Sequence, residues 1–297
     1  MALTDKLTAI GEAIRSKTGT TDLLTLDGMV TAIEGIETGG GTDEASVVAA
    51  IIDGSITEIR NDRVTSIRKD AFSSYKNLTS ADFPQVTNIG ANAFYFCSAL
   101  TTVNFPQVTS IGDSAFNSCT KLTTANCPKV TSLGEAAFDS NSMLTSADFP
   151  QVTSIGTSAF NNCYKLTTVN FPQVTSIGSK VFNGCSALKT ADFLQAKSIN
   201  ANAFYGCRVL ITLVLRSEAV ATLANTNAFT NCHHLLGTTN SSFNPDGLHD
   251  GYVYVPSVLV ESYKAATNWS SLDLQFRALE DYTVDGTVTG ELDETKI

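Results

Sequence analysis

Val108-Thr-Ser-Ile-Gly-Asp-Ser-Ala-Phe-Asn-Ser-Cys-Thr-Lys-Leu122 is the stretch that decides the fold, because Val152-Thr-Ser-Ile-Gly-Thr-Ser-Ala-Phe-Asn-Asn-Cys-Tyr-Lys-Leu166 repeats it with few changes. The same 22-residue phrase is written seven times without a gap before Ser217. The copies begin at Val64, Val86, Val108, Val130, Val152, Val174 and Ala196. Self-similarity at a fixed period of this length is typical of a solenoid.

One copy contains a single predicted strand. Leu100, Val103 and Phe105 have the spacing L-x-x-L-x-L, which places Val103 and Phe105 on the same side of an extended segment. Pro106 ends that strand, and a turn at Gly112 follows before the next copy. The apolar side chains of one copy have nothing to cover them, so the copies must stack into one rod.

The phrase I-G-x-x-A-F-x-x-C-x-x-L, followed by a strand that ends in Phe-Pro, resembles the BspA-type leucine-rich repeat of bacterial surface and phage-encoded proteins. The resemblance covers about half the chain. It implies a fold of the α+β repeat class, a leucine-rich-repeat solenoid of 22-residue coils with terminal caps. Three coils depart from the pattern: Tyr75 and Asn141 replace the cysteine, and Cys127 replaces the phenylalanine. We expect these substitutions to leave the fold intact.

The flanks predict further segments. Leu3, Leu7, Ile10 and Ile14 recur at helical spacing, and a second short helix is predicted from Asp27 to Gly35. We expect a helical hairpin over residues 1–38, a linker and N-terminal cap over 39–63, the solenoid over 64–240, a C-terminal cap over 241–280 and an acidic tail over 281–297. The C-terminal cap is expected to contain a strand at 252–256 and a helix from Ser257 to Asn268.

The opening segment carries a second resemblance. Lys6-Leu-Thr-Ala-Ile-Gly-Glu-Ala-Ile-Arg-Ser-Lys-Thr-Gly19, followed by Leu24-Thr-Leu-Asp-Gly-Met29, resembles the start of tail-associated proteins of phages and prophages of Gram-positive bacteria. That resemblance implies attachment of the N-terminal hairpin to a tail or baseplate protein, with a recognition domain behind it. The alternative is a generic helical hairpin that docks on a partner chain or forms a homo-oligomer.

Charge and hydropathy exclude some partners. The net charge is -10, yet residues 64–217 hold 11 Lys+Arg against 7 Asp+Glu, so the acidic excess lies in the flanks. The solenoid lacks the basic stripe that nucleic acid requires, and we expect no nucleic-acid partner. No apolar run reaches the length of a membrane span, and the N-terminus shows no signal-peptide pattern. We therefore expect a virion (phage tail) or extracellular-surface location reached without a visible signal peptide.

Residues that could carry chemistry are few. Cys97, Cys119, Cys163, Cys185 and Cys207 share one column, which indicates either a disulfide or metal ladder or, as we favour, small buried thiols. Cys232 continues that column after an insertion of three residues. His233, His234, Asp246, His249 and Asp250 match no ligand spacing. No nucleophile, base and acid set is visible, so we expect no enzyme, no metal and no cofactor.

Two sets of outward residues are candidate ligand-binding sites. The first is a grid of hydroxyls, amides and carboxylates beside the strand core, which could bind a host cell-surface glycan or, alternatively, could form hydrogen bonds between coils. Its candidate residues are Thr102, Asn104, Thr124, Asn126, Thr168 and Asn170. The second is a set of aromatic residues and one arginine where consensus copies carry Asn, Ser or Gly. These residues are Tyr95, Phe96, Tyr164, Tyr205 and Arg208.

The leading hypothesis is a non-enzymatic, tail-associated recognition protein of a phage or prophage. Its solenoid would bind a host cell-surface glycan or protein, and its N-terminal hairpin would attach to the tail. The alternative is a BspA-like adhesin on a bacterial cell surface, which would bind a host or a neighbouring cell.

Overall fold

The computed structural model describes residues 56–62, 64–238, 246, 250–279, 283–284 and 287–288. The hairpin expected over 1–38, residues 39–55 of the linker and cap expected over 39–63, and most of the acidic tail lie outside the described residues. Within the tail, Thr283–Val284 pairs antiparallel with Thr287–Val288. In the rest of the described chain, successive coils stack as a parallel β-solenoid; the coils are 22 residues long up to Ser217 and longer after it. The solenoid prediction is confirmed.

Each coil contributes the predicted strand, here called a series A strand. Pairing between neighbouring coils is parallel and in register, so that Thr102 lies beside Thr124 and Val103 beside Ala125. Every sequence column is therefore a row of adjacent residues along the stack. The series A strands are Glu58–Arg60, Ser80–Asp82, Thr102–Asn104, Thr124–Asn126, Ser146–Asp148, Thr168–Asn170, Thr190–Phe193, Thr212–Leu215, Tyr252–Val255 and Phe276–Ala278.

A second strand in each coil, here called series B, was not predicted. It consists of two residues, of which the second is a buried Ile or Leu. A strand of two residues is too short to show an alternating hydrophobic pattern, so no periodicity was present from which to predict it. The series B strands are Ser66–Ile67, Asn88–Ile89, Ser110–Ile111, Ser132–Leu133, Ser154–Ile155, Ser176–Ile177, Ser198–Ile199 and Thr222–Leu223.

The core is built from two columns of phenylalanine. Phe94 and Phe116 stack with ring centroids 5.1 Å apart, and Phe138 and Phe160 with centroids 5.4 Å apart. In the second column, the rings of Phe83 and Phe105 stack at 5.7 Å. Buried aromatic rings bring large apolar area to the core, so each coil is held mainly by its neighbours.

The cysteine column contains free, buried thiols rather than disulfides. Each thiol donates to a backbone carbonyl of the preceding coil: Cys97 Sγ lies 3.0 Å from the oxygen of Phe72, and Cys119 Sγ lies 3.1 Å from that of Phe94. The offset is 25 residues in the regular coils, and it becomes 28 at Cys232, which donates to Phe204. The three-residue insertion therefore lies between these two residues.

Both series are interrupted once. In series A, Thr124–Asn126 and Ser146–Asp148 belong to different sheets, and in series B the same is true of Ser154–Ile155 and Ser176–Ile177. The series A interruption lies at the coil that carries Cys127. The coils still stack there, as expected, but the strand pairing between Thr124–Asn126 and Ser146–Asp148 is lost. The series B interruption coincides with Val181, which stands where neighbouring coils carry the smaller Ala159 and Ala203.

The C-terminal end covers the last coil. Tyr263 and Trp269 are buried and both bind the backbone of Ala221: its N–H donates to the Tyr263 hydroxyl at 2.9 Å, and its carbonyl accepts from Trp269 Nε1 at 2.7 Å. The helix expected from Ser257 to Asn268 is shorter, because a 3-10 turn precedes it and Asn268 adopts φ 68 after it. The described helices are Thr226–Phe229 (3-10), His233–Leu236 (α), Ser257–Leu259 (3-10), Val260–Ala265 (α) and Ser270–Gln275 (3-10).

Candidate functional site

The outward face of series A displays the predicted grid. Thr102, Thr124 and Thr168 are exposed, as are Asn126 and Asn170, while Asn104 is half-buried. Because the strands pair in register, the hydroxyls form one row and the amides and carboxylates another. The grid is therefore a continuous polar surface along the stack, apart from the interruption after Asn126.

The amide row forms hydrogen bonds between coils. Asn104 Nδ2 donates to Asp82 Oδ1 at 2.8 Å, and Asn126 Nδ2 donates to Asn104 Oδ1 at 2.8 Å. Beyond the interruption, Asn170 Nδ2 donates to Asp148 Oδ1 at 2.9 Å. Arginine side chains bind the carboxylates at both ends of the row, Arg60 on Asp82 and Arg216 on Asp192. The three asparagine side chains of the grid therefore bond to neighbouring coils, as the alternative interpretation of this row predicts.

The interruption in series A opens a cavity of about 250 Å³. Its lining residues come from two neighbouring coils: Thr124, Ala125, Asn126, Cys127, Pro128, Ser146, Asp148 and Pro150. We call this cavity the sheet gap. Thr124 and Asn126 were predicted as candidate site residues, and Ser146 and Asp148 stand in the same two rows of the predicted grid, whereas the other four lining residues were not predicted. The missed signal was the pairing of Ala125 with Cys127, the smallest inward pair among the regular coils.

The aromatic candidates lie on the turns that follow series B. Phe96 is 43% exposed, Tyr164 50% and Tyr205 38%, and Arg208 is also exposed. The Tyr95 and Phe96 rings touch edge to face, with centroids 4.7 Å apart. Large apolar side chains are thus held in water along one edge of the solenoid, which we call the aromatic edge.

The backbone at Phe96 is left-handed, with φ 57. The same column carries Ser74, Ser118, Ser140, Asn162, Gly184 and Gly206, all with positive φ. Small or polar residues suit this conformation, whereas a bulky aromatic residue there is an outlier that costs about 1–2 kcal/mol. Phe96 is therefore a large aromatic residue in a column of small or polar residues, although both its left-handed backbone and its exposed position disfavour it.

The aromatic candidates do not meet at one point. Tyr164 and Arg208 occupy one column two coils apart, and Tyr205 shares the column of Tyr95 five coils away. At about 4.8 Å per coil, Tyr95 and Tyr205 are separated by about 24 Å. These side chains therefore form an extended line along the stack rather than the lining of a single pocket.

The histidine cluster is engaged locally. His233 Nδ1 lies 2.9 Å from Thr238 Oγ1, and His234 Nδ1 lies 2.7 Å from Asp250 Oδ1. Burial lowers the pKa of His233, and the charges of Arg208 and His234 lower it further. Among the described residues, no three His, Cys, Asp or Glu side chains are placed to hold a metal ion. His249 lies outside those residues.

The thiols are unsuited to nucleophilic chemistry. Burial raises the pKa of Cys97 to about 12 and that of Cys127 to about 12. A thiol must lose its proton to act as a nucleophile, so these groups are held in the inert form. Cys127 is buried beneath the sheet gap but presents no activated sulfur to it.

A comparison with known protein families identifies the repeat. Residues 65–189 and 153–243 match the family described as BspA type leucine rich repeat region, in six copies. The chain belongs to the BspA-type leucine-rich repeat family. The matched region spans the regular coils and the irregular last coil, and it includes both the sheet gap and the aromatic edge. No curated protein matches the chain.

Solved structures show similar repeat proteins. A leucine-rich repeat protein of T. pallidum is 26% identical over 50% of this chain and 72% of its own, with a TM-score of 0.45. One from Bacteroides ovatus is 24% identical over 74% and 68%, with a TM-score of 0.45. A leucine-rich cell surface protein of Faecalibacterium prausnitzii is 21% identical over 70% and 86%, with a TM-score of 0.34.

Over the described part of the chain, no helix is both long and apolar enough to span a membrane.

Proposed function

We propose that this BspA-type protein is a non-enzymatic recognition module at a bacterial surface, and that its solenoid binds a cell-surface glycan or protein. The single observation that carries the proposal is the aromatic edge. Its exposed rings would serve as anchors in a binding interface, since aromatic residues and arginine dominate contact energies. Family membership supports a surface-displayed repeat protein of the adhesin kind over other uses of the fold.

Two further features favour recognition over catalysis. The described solenoid offers area, with exposed rings spread over about 24 Å, instead of a cleft that gathers acid, base and nucleophile. Its thiols have raised pKa values, and both described histidines are engaged in local contacts. The repeated coils would thus form the binding surface, and side chains that differ from the repeat on individual coils would contact the ligand.

The test is binding of the full chain to whole bacterial cells, measured by fluorescence after labelling the purified protein. Tyr164→Ala and Tyr205→Ala are each expected to weaken binding about tenfold, which is about 1.4 kcal/mol. Val258→Ala is the matched control, because Val258 is 84% exposed but lies outside the aromatic edge. Equal binding by the edge variants and wild type would contradict the proposal.

The class of ligand follows from treating the cells. Periodate oxidises the vicinal hydroxyls of glycans, whereas protease removes surface proteins. Loss of binding after periodate alone identifies a glycan, and loss after protease alone identifies a protein. Binding that survives both treatments would overturn the proposed ligand classes.

Attachment to a phage tail is a second candidate, favoured by the sequence of residues 6–29 alone. It differs from the adhesin proposal in the carrier that displays the solenoid, while the recognition role is the same. Co-sedimentation of the full chain with purified tails, and its loss on deletion of residues 1–38, would support this role. Sedimentation that is unchanged by the deletion would rule out the hairpin as the attachment segment.

A further inference from the structure

We propose that the sheet gap between Thr124–Asn126 and Ser146–Asp148 is a binding site for one neutral sugar ring. This inference rests on the proposed function and deepens it, because it names the ligand chemistry and a place on the solenoid apart from the aromatic edge. The contacts between coils on either side of the gap are regular, whereas the gap itself departs from the repeat in volume and in backbone pairing.

The gap opens because one coil fills its core with unusually small groups. The series A strands point two side chains inward, and the pairs are Val103 with Phe105 and Ala147 with Phe149 in the two coils beside the one at the gap. The coil at the gap has Ala125 with Cys127. Ala125 is only half-buried, unlike Ala147 in the next coil, which is 1% exposed. Because the side chains of Ala125 and Cys127 are small, they fill less of the space between Thr124–Asn126 and Ser146–Asp148 than a phenylalanine would.

Backbone groups at the gap are left without their usual partners. Phe105 N–H donates to the carbonyl of Asn126 at 3.0 Å, and Phe149 N–H donates to that of Asn170 at 3.2 Å. The equivalent bond from Cys127 N–H to the Asp148 carbonyl is absent, although the flanking bond from Thr145 N–H to the Thr123 carbonyl persists at 3.3 Å. One donor and one acceptor therefore stand ready for a ligand.

The side-chain row is also broken here, because Asp148 has no amide to donate to Asn126; a similar break lies between Asn170 and Asp192, where the strands remain paired. Asn126 Nδ2 binds Asn104, and Asp148 Oδ1 accepts from Asn170, so each side chain is held from its outer side. Among the described residues, no donor is bonded to Asn126 Oδ1 or to Asp148 Oδ2. Two acceptor oxygens without a protein donor thus belong to residues that line the gap from adjacent coils, beside the exposed Thr124 and Ser146.

These groups select the ligand by chemistry. Neighbouring acceptors suit neighbouring hydroxyl donors, and the hydroxyls of a sugar ring supply them. The described lining residues include a carboxylate but no Lys or Arg, which disfavours anions. Pro128 and Pro150 supply apolar C–H surface at the rim. The volume of about 250 Å³ lies below the range of pockets for drug-sized ligands, so it fits one ring.

The experiment is an NMR titration of the ¹⁵N-labelled full chain with four probes: glucose, galactose, N-acetylglucosamine and rhamnose. At least one is expected to give saturable shifts centred on the amides of residues 124–128 and 146–149. Shifts that are absent for all four probes, that do not saturate or that centre on the aromatic edge would overturn the inference. Glucosamine, a cationic sugar, is titrated in parallel, and its saturable binding without binding of any of the four neutral probes would overturn the inference as well.

Two variants close the site by different means. Asp148→Asn can donate its new amide to Asn126 Oδ1, as Asn126 does to Asn104, and should weaken the sugar at least about tenfold without a change of volume. Cys127→Phe should restore the aromatic column and abolish the shifts. Thr190→Ala, in the same hydroxyl row but remote from the gap, should keep the affinity within about twofold. Full affinity in Asp148→Asn would contradict the assignment even if Cys127→Phe failed to fold.

The two proposals fail separately. Cell binding that depends on Tyr164 and Tyr205, without monosaccharide binding at the gap, would overturn only this inference. Monosaccharide shifts at the gap, together with cell binding that edge variants leave unchanged, would overturn the role of the aromatic edge and keep the gap.

Discussion

Asn141 donates its side-chain Nδ2 to the carbonyl oxygen of Phe116 at 2.8 Å, the bond that a thiol makes in neighbouring coils. The amide thus replaces Cys in its column and keeps the contact between coils. Its Oδ1 is nevertheless buried without a hydrogen-bond partner among the described residues. A buried unsatisfied acceptor destabilises a protein by about 1–3 kcal/mol.

We therefore expect Asn141→Cys to raise the free energy of unfolding by about 1–2 kcal/mol, because the thiol keeps the bond to Phe116 and removes the unsatisfied oxygen. The measurement is the urea midpoint at unchanged m-value. The reciprocal variant, Cys163→Asn, should lower the midpoint. A lower midpoint for Asn141→Cys would show that its oxygen is satisfied.

Phe96→Asn is expected to stabilise the fold by about 1 kcal/mol, since asparagine tolerates the left-handed backbone that Phe96 holds at φ 57. Asn162 already occupies this column with φ 58. The reverse change, Asn162→Phe, should cost a similar amount, and both are measured by urea unfolding. If Phe96→Asn were less stable, packing against Tyr95 would outweigh the strain.

Gly112→Ala should destabilise the solenoid by about 1–3 kcal/mol, because a Cβ there would lie 2.7 Å from Ala91 N of the preceding coil. Gly178→Ala is the control at the series B interruption, where the nearest atom is a Val181 methyl at 3.3 Å. Its effect should stay below about 1 kcal/mol. The melting temperatures of the two variants, measured side by side, show whether close contact between coils is the reason for glycine in this column.

The thiols should resist modification in the folded protein. Burial raises the pKa of Cys97 and of Cys127 to about 12, so at pH 8 almost none of either thiol is the reactive thiolate. Reaction with Ellman's reagent is expected to be slow for the native chain and to reach all seven cysteines in denaturant. Rapid native reaction of one or more thiols would show that a coil opens in solution.

The sequence predicted the stacking and its register because every apolar column is repeated at the same interval. Val103 and Phe105 point inward as their alternation indicates, and both are buried. Series B could not be predicted, since a strand such as Ser110–Ile111 has only one inward residue. Its pairing follows from the stack rather than from its own pattern.

The candidate site was predicted in part. Exposure of Phe96, Tyr164 and Tyr205 followed from their departure from the repeat, but their separation along the stack became evident only with the coils in place. The sheet gap was missed because a single small residue such as Cys127 is tolerated in many cores. Its effect depends on the neighbouring side chain of Ala125 and on the lost backbone pairing with the strand of Asp148, and both become visible only in the folded structure.

Hydroxyl-radical footprinting of the full chain, free and bound to ligand-bearing cells, tests the central claim most directly. Oxidation of Phe96, Tyr164 and Tyr205 is predicted to fall on binding, while oxidation of the exposed Val258 stays unchanged. Unchanged oxidation of all three rings in the bound protein would contradict recognition through the aromatic edge.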